Sequence, residues 1–275
     1  DDPFATAARL AARHHGLLTI SQARDVGLTP YRTRTLIRRG LLTPVGHRGY
    51  RLTGSPATDL QAVAAACMEV SGVASHSTAA ALHGLPGFSL VHPIEVVVRH
   101  SRQSVRSTSA RVHSTRWLPP DDQVIVGSIP TLSVARTLLS LAAMVPRRLT
   151  EARVADAVEQ AIRRGMADEP WLWWRLEKLR RSGRNGVTVL ERVLIERADL
   201  GPTESWLERE TLRVLRQAGL PLPSCQARIE QHGAFVARVD FTYEGTMAIL
   251  EVNGHRFHSS RDQLRRDAAR RRRLV

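Results

Sequence analysis

Helix-capping residues near the start of the chain constrain the fold more than any other feature of the sequence. Thr19 or Ser21 can cap a short helix, which Gly27 then ends. The pair Thr29-Pro30 opens a second helix, with threonine as the N-cap and proline in the first helical position. Gly40 marks the end of that helix. The capping pattern therefore predicts two short helices separated by a tight turn.

A hairpin is predicted directly after the second helix. Two short extended runs at 41–45 and 50–53 flank the turn Gly46-His47-Arg48-Gly49. A further helix with apolar spacing is predicted over 4–14. The order helix, short helix, turn, helix, hairpin is that of a winged helix-turn-helix.

The charge of the chain favours a polyanionic partner. The formal net charge is +14, and a field of that sign attracts nucleic acid. Nearly all of this charge is arginine, a skew that a GC-rich genome also produces. The second helix of a helix-turn-helix lies in the major groove, where arginine reads guanine edges or holds phosphates. Winged helices also serve as protein-interaction modules, and that alternative stays open. The candidate DNA-binding residues on this helix and at the hairpin tip are Tyr31, Arg32, Arg34, Arg38, Arg39 and Arg48.

Segments 16–19, 36–42 and 50–52 resemble the winged helix of AbiEi-type antitoxins. Segments 75–84, 129–131 and 135–139 are similar to the part that follows in the same proteins. The resemblance implies a DNA-binding role for this half of the chain. His76 and His83 share a predicted helix, but no third metal ligand is evident nearby, so packing or capping is the expected role.

Two acids stand out in the last quarter of the chain. A helix over 203–218 is predicted to precede strands at 226–230, 237–243 and 247–252. The third strand is almost wholly apolar and is expected at the centre of the sheet. Asp240 interrupts the second strand and Glu251 ends the third, where an unpartnered buried carboxylate is costly. A divalent cation would relieve that cost and orient a nucleophilic water. The alternative is a pair of acids bonded to arginines such as Arg238.

These acids, with the segment 252–258, resemble the PD-(D/E)XK nuclease core, in particular that of very-short-patch-repair endonucleases. The resemblance implies that Asp240 and Glu251 bind Mg²⁺ or Mn²⁺, and that His258 lies beside the scissile phosphate. It further implies that an acid of the preceding helix contributes to the site, either Glu208 or, alternatively, Glu204. Asn253 occupies the position of the family's lysine and cannot supply its positive charge. The family fold usually continues with another strand and helix, so the native protein is expected to be longer.

The predicted fold class is α+β multidomain. The predicted divisions are a winged helix at 1–55, an α/β middle region at 56–145, a helical connector at 146–200 and a PD-(D/E)XK core at 201–275. The arginine-rich end, with a helix predicted over 263–272, is interpreted as a phosphate clamp. The candidate DNA contacts in this part of the chain are Arg256, Arg261 and Arg265.

The first functional hypothesis is a metal-dependent DNA endonuclease. The second is a non-catalytic DNA-binding regulator or antitoxin whose nuclease-like domain is inactive, and a protein partner or homodimer fits either. An RNA substrate is less favoured, because no aromatic stacking platform is evident. Cys67 and Cys225 are the two cysteines, which fits a reducing cytoplasm. With the predicted DNA binding, the expected location is cytoplasmic and nucleoid-associated. Neither a membrane-spanning run nor a secretory signal is expected.

Overall fold

The computed structural model describes residues 2–100, 105–180, 184–200, 206–231, 234–243, 245–246 and 248–252. Within these residues the chain forms helices and three separate sheets, which confirms the mixed α+β class. In this described part, the helices all fall short of the length and apolar character that a membrane span requires.

The N-terminal unit contains the predicted helices and hairpin together with a strand that the sequence did not reveal. That strand, β1, pairs with the hairpin to give an antiparallel sheet of order β1-β3-β2. Ala7, Leu18, Leu28 and Leu42 form its buried core. The elements are α1 (Pro3–Ala12), β1 (Leu17–Thr19), α2 (Ile20–Asp25), α3 (Pro30–Arg38), β2 (Leu42–Val45) and β3 (Gly49–Leu52).

The second unit is a five-stranded mixed sheet covered by helices. The strand order is β6-β5-β4-β8-β7, with β5–β6 and β4–β8 parallel and the other pairs antiparallel. Alternating residues of β5 face α4 on one side and α5 on the other. The elements are α4 (Asp59–Val70), β4 (Val73–Ala74), α5 (His76–Leu82), β5 (Ile94–Arg99), β6 (Ala110–Thr115), β7 (Gln123–Val126), β8 (Ile129–Leu132) and α6 (Val134–Ala142).

Three helices follow: α7 (Glu151–Arg163), α8 (Glu169–Leu179) and α9 (Val187–Leu200). They share one hydrophobic core with α6, to which Leu138, Val158, Leu176 and Leu194 contribute fully buried side chains. This core crosses the predicted division at residue 145. The three helices therefore pack together with the five-stranded unit, and the two form what is called the central body below.

The last described unit is a helix beside a three-stranded antiparallel sheet. Its elements are α10 (Trp206–Gln217), β9 (Ser224–Gln231), β10 (Ala234–Thr242) and β11 (Ile249–Leu250). The strand order is β11-β10-β9, so among the described strands β10 is central and β11 lies at the edge. The apolar run at 247–252 predicted a strand at the centre of the sheet. That prediction is wrong for the described strands, because the chain returns beside β10 and Ile249 is 36% exposed. Phe241 and Leu212 are fully buried between helix and sheet.

Hydrogen bonds attach the N-terminal unit to the five-stranded unit. Gln61 on α4 donates through Nε2 to the carbonyl of His15 at 2.8 Å. His15 Nε2 lies 2.6 Å from the carbonyl oxygen of Gly127, in the turn between β7 and β8. The neighbouring Ser128 donates through Oγ to the carbonyl of Arg13 at 3.0 Å. The N-terminal unit is therefore seated on two elements of the five-stranded unit.

Candidate nucleic-acid interface

The residues around α3 fold locally as their capping signals predict. Thr29 is the N-cap, and its Oγ1 accepts a hydrogen bond from the backbone N–H of Arg32 at 3.3 Å. Pro30 occupies the first helical position, where a missing N–H carries no penalty. Gly40 has a φ of +70°, a left-handed conformation that glycine adopts without strain. The helix ends at Arg38, one residue before the predicted end.

Packing orients the predicted DNA-binding residues of α3 towards solvent. Thr33 is 5% exposed, and Leu36 and Ile37 pack on the core of the N-terminal unit. Since successive helical residues are roughly 100° apart, the remaining side chains occupy the opposite arc of about 160°. Tyr31 lies on that arc and is 71% exposed. The arginines that share the exposed arc are Arg32, Arg34, Arg38 and Arg39.

The positive charge of this arc is not neutralised within the described part of the chain. Arg34 Nε donates to the carbonyl of Pro30 at 3.3 Å, and Arg38 Nη2 donates to Thr35 Oγ1 at 3.4 Å. In the described ranges, no carboxylate lies within ion-pair distance of the four guanidinium groups of α3. Most of their donors are therefore available to phosphate oxygens or base edges.

The hairpin between β2 and β3 lies against α4. A Cβ placed on Gly46 at the hairpin tip would come within 3.1 Å of Cγ of Glu69 on α4. Arg48 remains exposed at this tip. The proximity of α4 fixes the position of the wing, and the contact of Arg48 with an adjacent groove stays a prediction.

The structure brings together two of the acids predicted in the C-terminal unit. Phe241 pairs with Leu250 across β10 and β11. Continued by one residue beyond the last pair, this antiparallel register places Asp240 opposite Glu251. Asp240 Oδ2 accepts the backbone N–H of Val252 at 2.9 Å. Glu208 on α10 is 6% exposed. The hairpin thus holds two carboxylates side by side, with a third on the adjoining helix.

In proteins, one or two carboxylates usually bind Mg²⁺, which keeps several of its waters. Two adjacent acids are therefore chemically suitable ligands for this ion. One oxygen of Asp240, however, already accepts the hydrogen bond from Val252. Among the described residues, no three His, Cys, Asp or Glu side chains form a group able to hold a metal. The other predicted residues of this site lie outside the described residues: Glu204, Asn253, Arg256, His258, Arg261 and Arg265.

A buried polar cluster that the sequence analysis did not predict lies in the five-stranded unit. Glu95 on β5 is 3% exposed and accepts the backbone N–H of Ser77 at 3.1 Å. Its Oε1 is 3.3 Å from His113 Nε2 and 3.2 Å from Arg148 Nη1. The ring of His113 stacks on that of His76, with 3.7 Å between centroids. The cluster joins α5, β5 and β6 around one carboxylate.

Burial and the neighbouring groups shift the pKa values of two members of this cluster, Glu95 and His76. Burial alone would raise the pKa of Glu95, but the hydrogen bond with His113 and the other neighbouring donors and charges together lower the pKa to about 2. Burial, reinforced by the charge of His113, lowers the pKa of His76 well below its ordinary value. At neutral pH, Glu95 is therefore ionised and His76 is neutral.

His83, at the end of α5, has the expected packing role, with Nε2 2.7 Å from the carbonyl oxygen of Leu132.

A second buried carboxylate lies in the turn that precedes β7. Asp122 is completely buried and forms an ion pair with Arg175 of α8. Its Oδ2 is also 3.8 Å from Nε of Arg136 on α6. The sequence held a signal for the first of these two carboxylates. Glu95 interrupts the apolar run 94–98, just as Asp240 interrupts its own strand.

Comparison with known proteins connects the N-terminal unit to one family. Residues 6–52 match the family model described as "Transcriptional regulator, AbiEi antitoxin". Uncharacterized protein MT2308 of Mycobacterium tuberculosis strain CDC 1551 / Oshkosh is 36% identical over 88 residues. Uncharacterized protein Rv2248 of strain ATCC 25618 / H37Rv shows the same identity and length of match. Each match spans 32% of this chain and 32% of the relative. The unit at residues 6–52 is thus an AbiEi antitoxin-like transcriptional regulator domain.

Proposed function

We propose that this chain is a DNA-binding transcriptional regulator that contacts duplex DNA through the exposed arc of α3. The observation that carries the proposal is the row of arginines on that arc, which no described carboxylate neutralises. The match of residues 6–52 to a transcriptional regulator family supports the same function.

The arc suits both tasks that a recognition helix performs. Arginine binds phosphate oxygens through its planar fork and can also contact both acceptors of guanine. Tyr31 adds an exposed hydroxyl at the N-terminal end of the helix, the end that contacts base edges in a helix-turn-helix. A contact region of this kind releases counterions from DNA, so its affinity falls steeply as salt rises.

The test is a titration of labelled duplex DNA with wild-type protein and two variants, Arg34→Ala and Arg38→Ala. We expect each variant to weaken binding by about tenfold, because a guanidinium contact to phosphate or guanine is lost. The double variant is expected to reduce the slope of log K against log salt concentration by about 2. Arg147→Ala is the matched control, since Arg147 is an exposed arginine of the central body. Equal affinities for the variants and the control would assign α3 to protein interaction instead.

A second candidate function is metal-dependent DNA cleavage by the C-terminal unit. The observation that favours it is the register of β10 and β11, which sets Asp240 opposite Glu251. In this candidate, Asp240 and Glu251 would hold Mg²⁺ or Mn²⁺, which would supply an activated water for phosphodiester hydrolysis. Glu208, on the adjoining helix, would add a third carboxylate.

Cleavage is tested with the intact protein and a panel of duplex, mismatched, branched and single-stranded DNA, with magnesium or manganese. Asp240→Asn keeps an oxygen for the Val252 N–H while removing the charge, and Glu251→Gln removes the opposite charge. A nuclease is expected to cut only with metal and to lose all cutting in both variants. Asp121→Asn, at an exposed acid of the central unit, should cut like the wild type. DNA that is bound but never cut would exclude this candidate, and the regulator function would then be the remaining proposal.

A further inference from the structure

A deep recess in the described part of the chain lies between the five-stranded unit and the helical core. It has a volume of about 700 Å³, within the range of roughly 300–1,000 Å³ that small-molecule sites occupy. β6 and the residues after it form one wall, and α6 forms another. His76 and the segment Arg184-Asn185 close the remaining sides. The recess belongs to the central body and lies apart from the exposed arc of α3.

Its lining is cationic. Arg116, Arg136 and Arg184 all line the recess, and none of its described lining residues is a carboxylate. The neighbouring Asp122 is shared between Arg136 and Arg175, so one buried negative charge faces two buried guanidinium groups. An excess of cations in a partly dehydrated site favours an anion, most strongly one with the oxygens of a phosphate.

Arg136 is the best-defined part of this site. Its side chain is 8% exposed, and Nη2 donates to Thr115 Oγ1 at 3.2 Å. Nη1 is buried and has no hydrogen-bond partner among the described residues. Burial lowers the pKa of Arg136 to about 10, so the group stays charged at neutral pH. A buried, charged and incompletely paired guanidinium is costly, and it is retained most readily where a ligand or water completes its bonds.

The walls also offer flat aromatic surfaces. His76 and His113 line the recess as a stacked pair, and Trp117 lines it close to Arg184, whose guanidinium carbon is 5.3 Å from the indole centroid. Ser75 Oγ lies 3.0 Å from His76 Nδ1 and holds that ring in place. His76 also has a φ of +50°, a strained value for a non-glycine residue that occurs preferentially at functional sites. Planar rings and arginines together match a ligand with an aromatic ring and a phosphate.

We infer that the recess lined by His76, His113, Trp117 and the three arginines binds a mononucleotide, with the phosphate directed towards Arg136. This site is separate from the DNA contact proposed for α3 and does not depend on it. A terminal phosphate of a nucleic-acid strand shares the same chemistry. A 5′-phosphorylated oligonucleotide is therefore titrated as well, and binding tighter than that of every mononucleotide would identify the strand as the source.

The experiment is isothermal titration calorimetry of the intact chain with AMP, GMP, CMP and UMP, with the matching nucleosides and with inorganic phosphate. At least one monophosphate is expected to bind with one site per chain, about tenfold or more tighter than its nucleoside. It is also expected to bind more tightly than inorganic phosphate, because the rings contribute to recognition.

Variants locate the site. Arg116→Gln changes an exposed lining arginine and is expected to weaken the monophosphate about tenfold without unfolding the chain. Arg147→Gln, an equally exposed arginine outside the recess, should bind like the wild type. Trp117→Phe should remove a ligand-dependent change in tryptophan fluorescence. Arg136→Gln is included, with a thermal melt to show whether it folds, but the inference does not depend on this variant.

Three results would overturn the inference. The first is the absence of saturable binding by any of the four monophosphates at millimolar concentration. The second is monophosphate binding that Arg116→Gln leaves unchanged, which would put the ligand elsewhere. The third is binding lost in the Arg34→Ala, Arg38→Ala double variant, which would assign the nucleotide to the DNA-contacting helix. Binding that persists in this double variant supports the recess even if the proposed regulator function fails.

Discussion

Replacing Asp122 with asparagine is expected to lower the free energy of unfolding by about 3–5 kcal/mol, the usual cost of removing one partner from a buried ion pair. Asp122 is completely buried, and its partners Arg175 and Arg136 have side chains only 6% and 8% exposed. Without the carboxylate, two buried guanidinium groups keep their charge, and among the described residues no other carboxylate lies within ion-pair distance of either. Urea denaturation followed by far-UV circular dichroism measures the change.

The adjacent acid supplies the control for this prediction. Asp121 is exposed, so Asp121→Asn is expected to change the free energy of unfolding by less than about 0.5 kcal/mol. Similar losses in the two variants would mean that the pairing around Asp122 does not stabilise the helical core. A double variant that also replaces Arg175 with methionine is expected to lose less than the sum of the single changes, because the two residues are coupled.

A substitution at Gly186 is expected to have the second largest effect. Gly186 has a φ of +89°, and a Cβ there would lie 2.5 Å from the carbonyl oxygen of Leu139 and 2.7 Å from the backbone nitrogen of Ala143. The backbone strain of Gly186→Ala costs about 1–3 kcal/mol, and relieving the steric overlap with α6 costs more. The segment must move away from α6, so Arg184 and Asn185 should also leave their positions in the recess.

The variant Gly165→Ala separates the cost of backbone strain from the cost of steric overlap with α6. Gly165 has a φ of +67°, but open space surrounds the position where its Cβ would be. Its loss of stability should therefore reflect backbone strain alone and be the smaller one in the same urea titration. Equal losses would show that close packing of residues 184–186 on α6 contributes nothing. Nucleotide binding is expected to weaken in Gly186→Ala and to stay unchanged in Gly165→Ala.

Features that depend on neighbouring residues in the sequence were predicted well. The N-cap at Thr29, the proline after it and the glycine at position 40 define α3 without reference to the rest of the chain, so its bounds were correct to one residue. Short strands were missed. β1 and β4 have two or three residues and pair only with segments distant in sequence, while β8, with four residues, pairs with the adjacent β7 and with the distant β4.

The central sites were missed for a similar physical reason. The cluster around Glu95 draws on α5, β6 and residue 148, and that around Asp122 draws on α6 and α8. No local spacing connects such residues; tertiary packing alone brings them together. The acids themselves were visible in the sequence, and only the argument from buried charge, used for Asp240, would have singled out Glu95. Asp240 lies near the end of β11, where its carboxylate accepts the N–H of Val252, while its role and that of Glu251 in catalysis stay a prediction.

If α3 contacts DNA as proposed, the seating of the N-terminal unit on α4 and on the turn between β7 and β8 has a consequence for the choice of operator. The bonds of His15, Gln61 and Ser128 restrict the rotation of α3 relative to the central body. If two copies bind one palindrome, the distance between their half-sites is therefore set by the shape of the whole body. Inserting a single base pair rotates one half-site by about 34°, and a rigidly mounted helix cannot follow that rotation. Such a protein would discriminate operators by half-site spacing as well as by base sequence.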